Sequence, residues 1–250
     1  MPGTASDQPD RVPGAAPAAS GIDALRRLPF LADVAEDALR RLATQARWRV
    51  LAAGEMVMDA GDTSDDVFFI AEGALRVLLR SAAGEEIILN DLGPGAIFGE
   101  LAAIDGIRRS ANVSALLRSR LCVVPGPAFL DLVLHAPPAG QRLLRMLAER
   151  LRLKDERNLE AAALPLRQRV LAELLRLSRP RAGGERMISP PPPQHVLAAR
   201  LVLRRETVSR EIARLARAGV LTVGRGAIIL HRPEEIGAEI DALLRAAAGA

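Results

Sequence analysis

The 250-residue sequence predicts an α+β fold in three parts: an N-terminal antiparallel β-roll of the jelly-roll kind, a long helix, and a C-terminal winged helix-turn-helix. Three observations carry that expectation. Between Trp48 and Pro125, short β-prone runs alternate with glycines at 54, 61, 73, 84, 93, 95, 99 and 106. Turn punctuation at that spacing describes a compact antiparallel sandwich or roll, not a parallel sheet. After Pro138 the leucines fall three and four apart, the period of a helix. Beyond a proline run at 190–193, the letters parse as helix, tight turn, helix and short hairpin. A chain of this length accommodates two domains of ordinary size.

Residues 1–20 are rich in Pro, Ala, Gly and Ser with almost no large apolar anchor, so disorder is expected and no function is assigned to them. The roll domain is placed at 21–138. It opens on IDALRRLPFLADVAEDALRRLATQA, whose helical leucine spacing is broken by Pro29, so two short helices should brace the strands beyond them. The strand candidates are RWRVLAA, DVFFIAEG, ALRVLLRS, EEIILNDLG and RLCVVPG. In LRVLLRS, Leu75, Val77 and Leu79 share one face against Arg76 and Arg80, with Leu78 out of pattern. Cys122, in LCVV, is the sole cysteine. It excludes an intramolecular disulfide or a cysteine-ligated cluster within one chain, and reads as a buried strand thiol.

The long helix, 139–164, places Leu144, Leu147 and Leu151 on a coiled-coil seam fit for a homodimer. The same register carries Lys154 and Asn158, either a solvated end of the seam or a stretch that faces something polar; Pro165 then ends or hinges the helix. The third part is placed at 165–232. It begins with an amphipathic helix over Leu166 to Arg179, then a Pro/Gly-rich loop, SRPRAGGERMISPPPP, in which Pro190 to Pro193 form a stiff spacer. The hairpin at its end should turn at Gly224-Arg225-Gly226, and 233–250 reads as a helical tail.

Charge is distributed unevenly. Leu166 to Arg232 holds fourteen arginines against four acids, a local +10 within a chain of net +4, so the rest is net −6. One segment is built to meet a polyanion and the other is not. No run approaches the roughly 20 apolar residues of a membrane span, and no basic-then-apolar leader opens the chain, so a soluble, cytoplasmic protein without membrane contact is expected. His135, His195 and His231 are scattered. With no activated nucleophile, metal spacing or carboxylate pair in view, the expectation is no enzyme, no catalytic residue, no metal and no resident cofactor.

In RRETVSREIARLARAGV, Val208, Ile212 and Leu215 share one face while Arg205, Glu206, Ser209 and Arg210 project from the opposite, N-terminal side. A recognition helix needs this division. Its inner stripe seats it on the domain, and its outer residues reach base edges, arginine to guanine O6/N7 and glutamate to cytosine N4, each good pair discriminating by roughly 1–3 kcal/mol. A solvated face with Glu206 paired to Arg210 four residues on is the plain alternative. Arg204 and the wing-tip Arg225 complete the candidate DNA contacts.

A second stretch, FGELAAIDGIRRSANVSA, puts Gly99-Glu100 ahead of a short apolar turn and Arg109-Ser110 after it. That spacing suits a loop around a ligand offering both hydroxyls and a negative charge. Gly99 permits close backbone approach, the turn aims free N–H groups at an anion, Arg109 supplies charge-assisted bonds and Ser110 a further donor. The alternative is that Glu100 and Arg109 pair across an empty loop.

Together, RRETVSR followed by GVLTVGRGAIIL, behind a glycine-punctuated β-region and a long helix, resembles the Crp/Fnr family of bacterial transcription regulators from about Leu25 to Arg232. The resemblance implies that Arg205, Glu206 and Arg210 enter the DNA groove, with Ser209 used in the Fnr-like branch. It implies a homodimer on a two-fold operator, with RNA polymerase as a further partner. The loop is similar to the family's phosphate-binding cassette, with Gly99, Glu100, Leu101, Arg109, Ser110 and Ala111 at matching positions. The effector implied is a cyclic nucleotide, cyclic AMP first and cyclic GMP second, gripped by ribose hydroxyl and phosphate. Four positions depart from the family. Val202 stands where the turn usually has glycine, Gln194 where a phosphate-contacting arginine is found, and Lys154 and Asp155 where adenine meets a threonine and a serine. A ligand-independent regulator, and a nucleotide-binding module of another protein, are the rival expectations.

Overall fold

The computed structural model describes residues 18–81 and 84–248. Residues 1–17 of the segment expected to be disordered lie outside the described residues; the chain is already helical from Ala18, in α1 (Ala18–Arg26). Pro29 has no N–H to give, so it opens a 3-10 turn, Pro29–Leu31, in place of continuing the helix, and α2 (Glu36–Ala43) comes next. Leu25, Leu31, Leu39 and Leu42 of this brace are buried with Phe69 and Phe129.

Among the described residues eight strands make the roll: β1 (Arg47–Leu51), β2 (Met56–Met58), β3 (Val67–Glu72), β4 (Leu75–Arg80), β5 (Glu86–Leu92), β6 (Ile97–Phe98), β7 (Asn112–Ala115) and β8 (Ser119–Val124). They pair antiparallel in two four-stranded sheets, ordered β1-β8-β3-β6 and β2-β7-β4-β5. β3 reads as an unbroken apolar run because both its faces are covered. Phe68 and Ile70 fill the space between the sheets, while Val67 and Phe69 pack on the helices outside. Cys122, opposite Phe69 and Trp48 in the first sheet, is fully buried, and that burial pushes its thiol from 9.0 up to about 12.

The alternation expected for β4 is corrected. Leu75 and Val77 share the core between the sheets as expected, whereas Leu79 does not join it and Leu78 is buried outside it; the register shift at Val77/Leu78 leaves Leu89 of β5 as the extra residue. One extra residue in a strand inverts every side chain after it. The short β2, β6 and β7 and the helix α4 (Gly126–His135) were not expected from sequence.

The long helix is α5 (Pro137–Ala163), beginning at the proline pair. Its seam divides. Leu147 is half-buried against the roll's own core, whereas Leu144 and Leu151 are 69% and 61% exposed. Leu164 is extended, and Pro165 then opens α6 (Leu166–Leu177). The stretch read as a loop after α6 is a hairpin, β9 (Arg179–Pro180) with β10 (Arg186–Ile188), turning through Gly183 and Gly184 at φ +90° and +79°. Then come α7 (Gln194–Leu201), α8 (Arg205–Arg217), β11 (Leu221–Val223), β12 (Ile228–Leu230) and α9 (Pro233–Ala248). The wing hairpin β11-β12 extends through β10 to β9 as one sheet. Val170, Leu171, Leu174, Leu197, Val208 and Leu215 form the core of this part, which shares no residue with the buried clusters of the roll. Among the described residues, no helix is long and apolar enough to cross a membrane.

Candidate ligand loop and nucleic-acid interface

β6 delivers the chain to Gly99, which holds φ +84° before the short helix α3 (Glu100–Asp105). A Cβ at Gly99 would meet Arg109 Nη1 and the Asp66 carbonyl, each at 2.8 Å, so only glycine fits between β6 and the guanidinium. Glu100 and Arg109 are 3% and 4% exposed. Arg109 donates from Nε to Ser64 Oγ at 3.0 Å, from Nη1 to the Gly99 carbonyl at 2.8 Å, and from Nη2 to the Asp66 carbonyl at 2.7 Å. Its backbone is pinned too, its N–H donating to the Asp62 carbonyl at 2.9 Å and its carbonyl accepting from Gly61 at 2.8 Å. The guanidinium lies 5.8 Å from the centre of the Phe68 ring, itself stacked on Phe98.

All three acceptors are neutral. Among the described residues no carboxylate forms an ion pair with Arg109, and the Asp66 carboxylate is taken by Arg47. Burial accordingly pulls the Arg109 guanidinium below its ordinary value, with Asp66, Asp65, Asp62 and Glu100 opposing from a distance. A buried cation fixed by neutral oxygens, with two of its five N–H groups to spare, is a seat for an anion.

Glu100 does not pair with Arg109. It pairs with Arg150 of α5 at 2.6 Å, and Arg150 also donates to the Ile97 carbonyl at 2.6 Å. Sequence reasoning missed Arg150, whose one signal was its place a turn ahead of Lys154 on the long helix. One further turn on, Arg157 donates to the Leu89 carbonyl at 2.6 Å. Lys154 and Asp155 are exposed between these two anchors, and no hydrogen bond or ion pair ties either to the loop among the described residues. Leu101 and Ser110 are exposed, while Ala111 is buried at the start of the strand pair β7-β4.

The second site is built on α8. Val208, Ile212 and Leu215 are buried, and Arg205, Glu206 and Arg210 are exposed on the other side, with Ser209 half-buried between. Arg210 donates to the Glu206 carbonyl at 3.3 Å rather than pairing with its carboxylate. Arg204 precedes the helix with no side-chain cap, and its carbonyl accepts from Thr207 and Val208, which leaves the N–H groups of Arg205 and Glu206 open to a partner. Arg225 is exposed in the wing turn between β11 and β12. Val202, ending α7, adopts φ +54° and ψ +50°, the left-handed conformation a glycine would take. The wing is pinned from behind by His231, which hydrogen-bonds Thr222 at 2.8 Å and Glu185 at 2.7 Å, a bridge the sequence did not announce because its three members come from separate elements.

Comparison with known proteins matches the two regions that carry these residues. A family model described as a cyclic nucleotide-binding domain matches residues 48–135, and one described as a Crp-like helix-turn-helix domain matches 168–238. The chain is 33% identical over 183 residues to the cyclic AMP receptor protein of Thermus thermophilus, spanning 72% of this chain and 82% of that one. It is 24% identical over 215 residues to the CRP-like cAMP-activated global transcriptional regulator of Mycobacterium tuberculosis, spanning 85% and 96%. A solved Thermus thermophilus transcriptional regulator of the CRP/FNR family superposes with a TM-score of 0.61 at 26% identity, over 79% of this chain and all of that one.

Proposed function

Because the chain belongs to the Crp/Fnr family of transcription regulators, we propose that this regulator binds a cyclic nucleotide in the roll and, as a homodimer, a two-fold DNA operator. The division proposed is an effector domain at 21–138, a dimerisation helix at 139–164, a DNA-binding domain at 165–232 and a helical tail at 233–250. Cyclic AMP is the first candidate, since the relatives described above are named for it, and cyclic GMP the second. The observation that carries the reading is the buried Arg109 with only neutral acceptors around it. Its two spare N–H groups would take the cyclic phosphate, with Ser110 and the turn of Gly99 to Leu101 beside it and Ala111 behind; Glu100 would accept the ribose hydroxyl. Lys154 and Asp155 would meet the base from α5.

At the other end, Arg205, Glu206, Ser209 and Arg210 would read base edges, and Arg204 and Arg225 would meet phosphates flanking them. Leu144 and Leu151, exposed on α5, would close the dimer, which sets two recognition helices one DNA turn apart. The ligand acts by favouring one placement of that pair. Such a regulator works in the cytoplasm and meets RNA polymerase at the promoter.

Calorimetry with cyclic AMP and cyclic GMP tests the site. Arg109→Ala should weaken binding at least tenfold, since hydrogen bonds to charged groups are worth about 1.5–3 kcal/mol each. Unchanged affinity in the variant would remove Arg109 from the site. A second reading, a ligand-independent regulator, is favoured by the hold of Arg150 on Glu100, and no heat with either nucleotide would select it.

A further inference from the structure

The winged part meets the roll where α7 lies against β5, and a buried ion pair crosses that contact. Arg200 of α7, with a side chain 7% exposed, donates to Asp91 of β5 and reaches Glu173 of α6 at 3.5 Å. Asp91 also holds Arg76 of β4 in a two-pronged pair at 2.8 and 2.9 Å. Glu173 passes the line to Arg176 at 2.5 Å, and Arg176 to Glu160 of α5 at 2.7 Å. Burial alone would lower the Arg176 guanidinium, but Glu160 and Glu173 together hold it above its ordinary value. One line of alternating charge therefore joins both domains and the long helix.

The contact is small beside the two domains it joins. The main apolar cores of the roll and the winged part share no residue, and only Leu78, Ile88 and Val196, on the elements that meet here, are buried outside them. Arg200 is also incompletely satisfied: its Nε is buried with no partner among the described residues, a cost that vanishes when α7 lifts into water.

The same strand leads to the ligand loop. β5 gives its Leu89 carbonyl to Arg157, and a short turn later β6 gives its Ile97 carbonyl to Arg150, which also grips Glu100. The long helix is thus clamped to the β5-β6 segment at two points, with the Asp91 contact between them in sequence. We propose that Asp91 is an interdomain latch, holding the first helix of the helix-turn-helix against the roll until a ligand draws Glu100 from Arg150, loosens α5 and frees Arg200. The trigger rests on the nucleotide reading above; the latch itself concerns only the two domains.

Asp91→Asn removes the charge while keeping the shape, and spin labels at Leu117→Cys and Ala218→Cys report the distance between roll and winged part. Cys122 is buried and stays unlabelled. Labelled protein is diluted into excess unlabelled protein, so that a dimer carries one pair. In nucleotide-free Asp91→Asn, and independently in Arg200→Gln, the distance distribution should move to the one the parent reaches with cyclic AMP, and operator affinity without nucleotide should rise about tenfold. Arg76→Gln, which leaves the Asp91-to-Arg200 contact in place, should keep the closed distribution. An unchanged distribution in a folded latch variant overturns the proposal, as does opening by Arg76→Gln. A shifted distribution in a protein that binds no operator under any condition overturns the DNA reading and supports the latch.

Discussion

Val202 carries a branched side chain at φ +54°, where a side chain crowds the following carbonyl at a cost of about 1–2 kcal/mol. Glycine would relieve that strain and give back roughly 0.5–1 kcal/mol through the entropy of the unfolded chain. Val202→Gly should therefore raise stability by somewhat under about 1 kcal/mol in denaturant titrations; a fall would show that the side chain itself holds the turn. Cys122 makes a different kind of prediction. A thiol raised to about 12 is protonated at pH 8 and hidden, so iodoacetamide should modify it only after unfolding. A folded value above the unfolded one stabilises the native state fully below about pH 9, and that contribution fades as pH climbs toward 12. Denaturation midpoints measured between pH 8 and pH 11 should fall over that window, and a flat profile would contradict the burial.

At the level of elements, the long strands were legible because DVFFIAEG and RLCVVPG have no other way to bury so much apolar surface, and the recognition helix because its buried stripe is so regular. Leu78 breaks the alternation of β4 because it is buried outside the core that Leu75 and Val77 share, and the bulge opposite it, at Leu89 of β5, leaves no mark in the sequence. β9-β10 was hidden inside a Pro/Gly-rich stretch whose strands are two and three residues long. The turn of the candidate loop was legible in Gly99, Glu100 and Arg109, but the partner of Glu100 was not, since Arg150 lies 50 residues away on a face fixed only by tertiary packing. Gly99→Ala should collapse the loop, because its Cβ would strike Arg109 and Asp66 at a φ that alanine avoids. The measured outcome would be nucleotide binding lost to the extent seen in Arg109→Ala; retained binding would mean the loop can shift aside. On α5, Leu151→Glu should turn the proposed dimer into a monomer by sedimentation, and a persistent dimer would place the interface elsewhere.

Across the whole molecule, charge is divided between an arginine-rich winged part and a net-negative remainder, and in the proposed function the first meets DNA while the second holds one small anion at Arg109. Contacts to DNA phosphates release counterions, so operator affinity should fall steeply between 50 and 200 mM salt. Arg205→Ala should relax preference at one base position by about 1–3 kcal/mol, whereas a uniform loss across sequences would make it a backbone contact. The two ends are joined by α5 and by the charge line through Asp91 and Arg200, the route by which the proposed latch would carry ligand binding to the groove. The most direct measurement is operator affinity at fixed salt, with and without saturating cyclic AMP or cyclic GMP, for the parent and for Arg109→Ala. The parent should bind at least tenfold more tightly with its nucleotide, and Arg109→Ala should show no such gain. Equal affinity with and without every nucleotide tested would contradict the account.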